Sequence, residues 1–168
     1  MTAPFVTCDL LDDNEDKDLQ VVSPSIDGKS FKTYGARKSF GGQVVSVKCF
    51  EDNSRVKELL ATDGTAKVLV VDGGASMRCA LMGDLIAESA VKNNWNGVII
   101  YGCVRDVDAI AELDLGGHAL ASIPQKSNRK GIGEVDVPLY FGGVSFKSGE
   151  YVYADNNGIV VSKEKLVD

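Results

Sequence analysis

The fold class of this chain is decided by Lys67-Val68-Leu69-Val70-Val71-Asp72, a short apolar run that Gly73-Gly74 ends. A continuous apolar run of this length is typical of a strand buried on both faces of a sheet, as the strands of parallel sheets are. Val98-Ile99-Ile100-Tyr101 repeats the pattern, and we expect that strand to stop at Gly102. A helix with one apolar face is predicted between the two strands, over residues 84–93. Strand, helix and strand at this spacing predict a right-handed parallel crossover unit.

Shorter elements are predicted on both sides of this unit. A helix over residues 6–13 precedes it, and apolar side chains alternate along a strand over residues 43–50. The next helix has N-cap candidates in Asp52-Asn53-Ser54 and is expected to end at Gly64. Four short strands separated by turn signals follow near the C-terminus, at residues 135–140, 144–146, 151–154 and 159–162. The sequence therefore predicts an α/β fold in a single domain, residues 1–168, with parallel crossover units first and a β-rich C-terminal part.

Charge and composition narrow the classes of partner. The net charge of −6 argues against direct nucleic-acid binding, because phosphate contacts require clustered Lys and Arg. The densest basic stretch, residues 126–130, is interpreted as a solvated loop. No apolar run approaches the roughly 20 residues of a membrane span, so no membrane partner is expected. The four cysteines lie far apart and the N-terminal residues are acidic, which indicates reduced thiols in a cytoplasmic protein, with Cys49 and Cys103 facing the core.

Candidate chemistry lies in the two loops that follow the buried strands. Ligands of open α/β sheets bind beyond the carboxyl ends of parallel strands, where Arg105 and Asp106 come directly after one strand and Asp84 opens a helix. Arg105 carries the planar fork that holds a carboxylate with two hydrogen bonds. Asp106 offers a hard oxygen ligand that suits Mg²⁺ or Mn²⁺, and Asp84 is expected to orient a water molecule at such a cation. A surface ion pair beside a helix cap is the alternative that these three residues leave open.

Several longer stretches carry a resemblance to a known family. They are Ser39-Phe40-Gly41-Gly42, Lys48-Cys49-Phe50-Glu51-Asp52-Asn53, the run from Val68 to Gly74, Gly131-Ile132-Gly133-Glu134 and Tyr153-Ala154-Asp155-Asn156. In order and spacing the chain resembles the regulators of ribonuclease E activity over nearly its whole length. The resemblance implies a swivelling β/β/α-type fold and a homotrimer.

The same superfamily has an enzymatic branch, the metal-dependent pyruvate aldolases, which cleave 4-hydroxy-4-methyl-2-oxoglutarate and also decarboxylate oxaloacetate. Its pattern of Asp, twenty residues and Arg-Asp is matched here by Asp84 and Arg105-Asp106. By resemblance, Asp84 and Arg105 are catalytic and Asp106 ligates a divalent cation, Mg²⁺ or Mn²⁺. The substrate, a small 2-oxo acid, is then bound by Gly83, Asp84, Leu85, Ile86 and Arg105.

One residue departs from the enzymatic pattern, and the histidine of the chain adds nothing to it. Members of the enzymatic branch usually carry an acidic residue three positions after the metal-binding Asp, and Ala109 stands there. His118, the one histidine, follows Gly116-Gly117 and is interpreted as a structural residue at a strand end. The leading hypothesis is therefore a metal-dependent lyase that breaks a C–C bond next to a 2-oxo group and passes through a metal-stabilised pyruvate enolate. The alternative is a non-catalytic regulator that binds ribonuclease E and inhibits RNA processing.

Overall fold

A ten-stranded mixed sheet organises the protein, which we describe from a computed structural model over residues 4–168. The helices are α1 (Thr7–Asp13), α2 (Ser54–Leu60), α3 (Asp84–Lys92) and α4 (Val107–Ile110). The strands are β1 (Gln20–Val21), β2 (Lys32–Thr33), β3 (Phe40–Lys48), β4 (Lys67–Asp72), β5 (Ala80–Met82), β6 (Gly97–Val104), β7 (Gly116–Ser122), β8 (Glu134–Val135), β9 (Leu139–Phe141), β10 (Val144–Phe146), β11 (Tyr151–Asp155) and β12 (Gly158–Ser162). This is the mixed α/β, single-domain architecture expected from the sequence. None of the helices within the described residues is long and apolar enough to cross a membrane.

The centre of the sheet is parallel. Its strand order is β1-β12-β11-β3-β4-β6-β7-β2, with β5 added beside β6 and β8 beside β3. Along this order β3, β4, β6 and β7 pair in parallel. Leu69 of β4 lies between Val45 of β3 and Val98 of β6, and residues 68–71 are fully buried. The continuous apolar run is therefore explained as predicted, because β4 is buried on both faces of the sheet.

Each face of the sheet has its own apolar core. On one face the helices pack over the strands around Trp95, Leu69 and Ile100. On the other face the C-terminal strands contribute Phe141 and Phe146, whose rings stack with a centroid separation of 4.6 Å. A buried side chain of this size stabilises the fold by roughly 1.5–3 kcal/mol relative to an exposed one. The carboxyl ends of the parallel strands are therefore held on a rigid base.

Three strand predictions were wrong. β6 does not stop at Gly102 but continues to Val104, because pairing with β5 and β7 resumes at Cys103 and Gly102 marks only a register shift. The single strand predicted over residues 135–140 is divided into β8, which pairs with β3, and β9, which pairs with β10. Asp136 between them has a φ of 63°, which ends the first ladder. The strand end predicted at His118 lies two residues earlier, because β7 begins at Gly116.

Helix boundaries were partly predicted. α2 begins at Ser54, whose amide donates to Asp52 Oδ1 at 2.9 Å, so the predicted start is confirmed. The helix ends at Leu60, four residues before Gly64. Gly64 has another role, because a Cβ there would lie 2.1 Å from the Trp95 ring. All four cysteines are free thiols, and Cys49 and Cys103 are buried as predicted.

Candidate functional site

The loops that follow the parallel strands enclose a small cleft of about 50 Å³. The residues around it come from the start of α2, the start of α3, the end of β6 and the segment before β8. They are Asn53, Ala80, Gly83, Asp84, Leu85, Ile86, Arg105, Asp106, Lys126, Ser127 and Arg129. Every residue that the sequence predicted for substrate or metal binding is in this set, so the fold brings the predicted residues together.

Arg105 is anchored by its backbone and by one side-chain bond. Its amide donates to Met82 O at 3.0 Å, which fixes it beside the end of β5. Its Nη1 donates to Pro124 O at 3.3 Å, and its Nε lies 4.0 Å from Asp106 Oδ2. A guanidinium carries five N–H donors, so most of the fork is left for another acceptor. The side chain is about one-third exposed, which lets a small anion reach it.

Asp106 has an unusual backbone that aims its carboxylate at α3. Its φ of 54° and ψ of 42° are left-handed, a conformation that Asp tolerates better than most residues. Oδ2 accepts a hydrogen bond from the Asp84 amide at 3.0 Å. In the free chain, therefore, the carboxylate of Asp106 is the anion that occupies the N-terminus of α3.

Gly83 is required by the close approach of Asp106. A Cβ on Gly83 would lie 2.5 Å from Asp106 Oδ2 and 3.3 Å from Arg105 Nε, although its own φ is an ordinary −118°. Asp84 next to it starts α3, and its Oδ1 accepts the Leu85 amide at 2.8 Å. Leu85 is 75% exposed, whereas the Ile86 side chain belongs to the core. Of the predicted pocket residues, Ile86 therefore packs into the core beneath the cleft, whereas the others lie at its surface.

The sequence did not predict that Lys126, Ser127 and Arg129 would lie at this site. Residues 126–130 are exposed apart from Ser127, as expected of a solvated loop, but the loop is not separate from the site. Backbone bonds tie the segment to the loops: the Ala80 amide donates to Gln125 O at 2.8 Å and the Asn128 amide to Glu51 O at 2.9 Å. The clustering of cations was the available signal, and its proximity to Asp84 was not visible in the sequence.

Asp52 and Asn53, which precede α2, contact this basic segment. Asp52 is buried, and burial alone would raise the pKa of its carboxyl. Hydrogen bonds from Ser54, from the Lys130 amide and from the Ile132 amide have the larger effect, so the pKa lies below its ordinary value. Asn53 is 5% exposed, and its Oδ1 has no hydrogen-bond partner among the described residues. A buried, unpaired carbonyl oxygen at the edge of the cleft is available to a polar ligand.

The oxygen donors of the cleft suit a hard divalent cation bound weakly. Within residues 4–168 no group of three or more His, Cys, Asp or Glu side chains is arranged around one point. Asp106 and Asp84 are two carboxylates in one cleft, and Mg²⁺ is commonly held by one or two carboxylates with water and substrate completing its shell. The residues present therefore fit such a cation, which Asp106 would hold with Asp84 beside it.

Two other residues considered from the sequence do not supply chemistry here. Ala109 lies exposed in α4, so the carboxylate usual at that position is absent. His118 lies inside β7 rather than at a strand end, and its ring is buried. It lines no part of this cleft.

Comparison with known proteins gives a consistent family. The family profile described as "RraA-like: Aldolase/RraA" matches residues 7–161. A protein of Acinetobacter baylyi with the provisional name 4-hydroxy-4-methyl-2-oxoglutarate aldolase is 79% identical over 167 residues, covering 99% of this chain and 98% of its own length.

Two solved structures share the fold closely. The RNA-processing inhibitor RraA from Thermus thermophilis has a TM-score of 0.89 and 38% identity, covering 96% of this chain and 94% of its own. A Geobacillus kaustophilus structure described as an S-adenosylmethionine: 2-dimethylmenaquinone methyltransferase has a TM-score of 0.90 and 42% identity, over 96% and 97% of the two chains. The names of these relatives give three different activities, so the choice among them depends on the site.

Proposed function

The chain belongs to the Aldolase/RraA family, and from that premise we propose that it is a divalent-metal-dependent lyase that cleaves 4-hydroxy-4-methyl-2-oxoglutarate to pyruvate and also decarboxylates oxaloacetate. The observation that carries the proposal is the meeting of Arg105, Asp106 and Asp84 in one cleft, with the hydrogen bond from the Asp84 amide to Asp106 Oδ2. A helix cap alone would not need Arg105 beside it with most of its donors free.

The charges of the cleft match a dicarboxylic 2-oxo acid. Arg105 offers a fork for the carboxylate next to the 2-oxo group. Lys126 and Arg129 stand on the same cleft and suit the second carboxylate, which both proposed substrates carry. This arrangement also explains how an acidic protein binds an anion, since a local cluster of cations acts within a Debye length of roughly 8–10 Å.

Arg105 and Asp84 have separate roles in breaking the C–C bond. Arg105 fixes the substrate so that the bond to be broken stands perpendicular to the plane of the 2-oxo group, which lets its electron pair enter the π system. Asp84 uses Oδ1 to accept the Leu85 amide, which leaves Oδ2 to orient a water molecule that takes the proton of the 4-hydroxyl group. That water returns a proton to the carbon that becomes the methyl group of pyruvate. When bound at Asp106, a divalent cation supplies electrophilic polarisation of the 2-oxo group.

Binding to Arg105 is the direct test of this proposal. We expect Arg105→Ala to abolish binding of oxalate, a pyruvate enolate analogue, in isothermal titration calorimetry with Mg²⁺. Arg105→Lys keeps the charge but not the fork and should restore only part of the affinity. Arg37→Ala is the matched control, because Arg37 is similarly exposed but pairs with Asp114 elsewhere. Full oxalate affinity in Arg105→Ala would refute the role of Arg105.

A regulatory function is the second candidate, and two observations favour it. The similar Thermus structure is named as an inhibitor of RNA processing, and the net charge of −6 suits docking on a basic segment of a partner such as ribonuclease E. Co-elution of the two purified proteins at micromolar concentration would support it, and separate elution would count against it. Both functions are compatible in one protein, because the cleft occupies little of the surface.

A further inference from the structure

A second cleft, of about 380 Å³, opens between the two edges of the ten-stranded sheet. Val21 of β1 and Thr33 of β2 both line it, although these strands are the two ends of the strand order. The sheet therefore curls until its edges approach, and the cleft is the gap that remains. Thr33 Oγ1 donates to Asn156 Oδ1 at 3.1 Å and so joins β2 to the turn between β11 and β12.

His118 lines this edge cleft with unmet hydrogen-bonding capacity. The residue is 4% exposed, and neither ring nitrogen has a hydrogen-bond partner in the part of the chain that the structure describes. Phe40 packs against the imidazole edge-on, with a centroid separation of 5.3 Å, and offers no polar atom. Native proteins seldom leave buried polar atoms unpaired, so the imidazole needs a partner that the described chain does not supply.

The chemistry of the wall defines that partner. Burial lowers the pKa of His118 to about 4, so at neutral pH the imidazole presents one donor and one acceptor and no charge. Asp155 also lines the cleft, and its carboxylate already accepts bonds from Thr7 and Asn157. Lys and Arg are absent from the described lining, which disfavours an anion. Much of the remaining wall is apolar, including Phe31 and Ile159.

We propose that the edge cleft binds a small uncharged molecule with an apolar body and a hydroxyl group, which hydrogen bonds to the imidazole of His118. Its volume lies within the roughly 300–1,000 Å³ of ordinary ligand pockets. The site is separate from the cleft at Arg105. His118 pairs with Ile99, and Arg105 follows six residues later, about 20 Å along the strand direction.

Histidine NMR tests the proposal without a variant. His118 is the one histidine of the chain, so the ring ¹⁵N signals of protein labelled at histidine belong to it alone. Phenol is the probe, toluene lacks its hydroxyl group, and benzoate replaces that group with a charge. Phenol is expected to shift both ring nitrogens saturably and to bind about fivefold more tightly than toluene, as one hydrogen bond between neutral groups allows. Benzoate is expected to leave the signals unchanged.

Three outcomes of that titration would overturn the proposal. Unchanged ring signals at the solubility limit of phenol would mean that the cleft holds only water. Equal affinity for toluene would remove the role of the hydroxyl group, and stronger binding of benzoate would remove the requirement for an uncharged ligand. A His118→Phe variant adds a second check, in which calorimetry should show equal affinities for phenol and toluene. A preference for phenol that survives the substitution would also overturn the proposal, and if the variant does not fold, the probe series on the native protein decides.

Discussion

Replacing Gly83 with alanine should separate the geometry of the site from the stability of the fold. The new Cβ would lie 2.5 Å from Asp106 Oδ2, and ordinary contact begins at 3.4 Å, so the carboxylate must move by about 0.9 Å. We expect a displacement of that size to break the hydrogen bond from the Asp84 amide, which is now 3.0 Å long. The substitution thus disturbs Asp106 and the start of α3 together.

The expected losses of activity and of stability follow from that displacement. A misplacement of about 1 Å in a catalytic arrangement costs on the order of a hundredfold in rate, so kcat/KM for oxaloacetate should fall by about that factor. The lost hydrogen bond involves a charge, but the Asp106 side chain is about 40% exposed and can be resolvated, so we expect only about 1 kcal/mol of destabilisation. For a chain of this length, that corresponds to a fall in Tm of about 2–4 °C.

Steady-state kinetics and thermal unfolding of two variants provide the assay. Gly102→Ala is the matched control, because a Cβ there meets Ile100 and Leu81 at 3.5 Å, an ordinary contact distance, in the strand that leads to Arg105. The control should keep most of its activity. A Gly83→Ala protein with native kcat/KM would refute the reasoning, and equal losses in both variants would show that the sheet, rather than Asp106, was disturbed.

Further predictions concern acid stability, substrate charge and assembly. The unfolded chain protonates His118 near pH 6.5 and the folded chain near pH 4, so the free energy of unfolding should decrease by up to about 3 kcal/mol as the pH falls between these values. Urea unfolding at several pH values should show this slope in the native protein, and a slope that persists in His118→Phe would contradict it. Lys126→Ala should raise KM for oxaloacetate about fivefold and leave pyruvate binding unchanged, whereas Lys130→Ala, outside the cleft lining, should change neither. Light scattering should give a mass of about 54 kDa for a homotrimer of 17.9 kDa chains, and a mass near that of one chain would contradict the trimer.

The central fold and the proximity of the candidate site residues could be predicted from the sequence because local patterns indicate where the strands end. The apolar run of β4 shows its burial on two faces without any knowledge of its neighbours. Asp84 and Arg105 are far apart in the chain, but each lies beside a carboxyl end of a parallel strand, and those ends meet at one edge of a sheet.

The remaining features depend on long-range contacts that leave no local pattern. Lys126 reaches the cleft through backbone bonds that any residues in the segment would make. The need for glycine at residue 83 comes from the position of Asp106, twenty-three residues later. β7 begins with a glycine because Phe40 packs over Gly116, where a Cβ would lie 2.1 Å from the ring. That contact replaces the side-chain alternation by which a strand is usually recognised.

Metal-dependent turnover is the most direct measurement of the central claim. Oxaloacetate decarboxylation and 4-hydroxy-4-methyl-2-oxoglutarate cleavage should be followed with Mg²⁺ or Mn²⁺, with EDTA, and in Asp106→Asn, since asparagine tolerates the left-handed backbone but is a weaker ligand. Asp108→Asn, on the exposed surface of α4, is the control. We predict turnover that EDTA and Asp106→Asn abolish and that Asp108→Asn retains. Turnover no faster than that of the free metal ion would contradict the lyase and would show that Ala109 marks a disabled site in a regulatory protein.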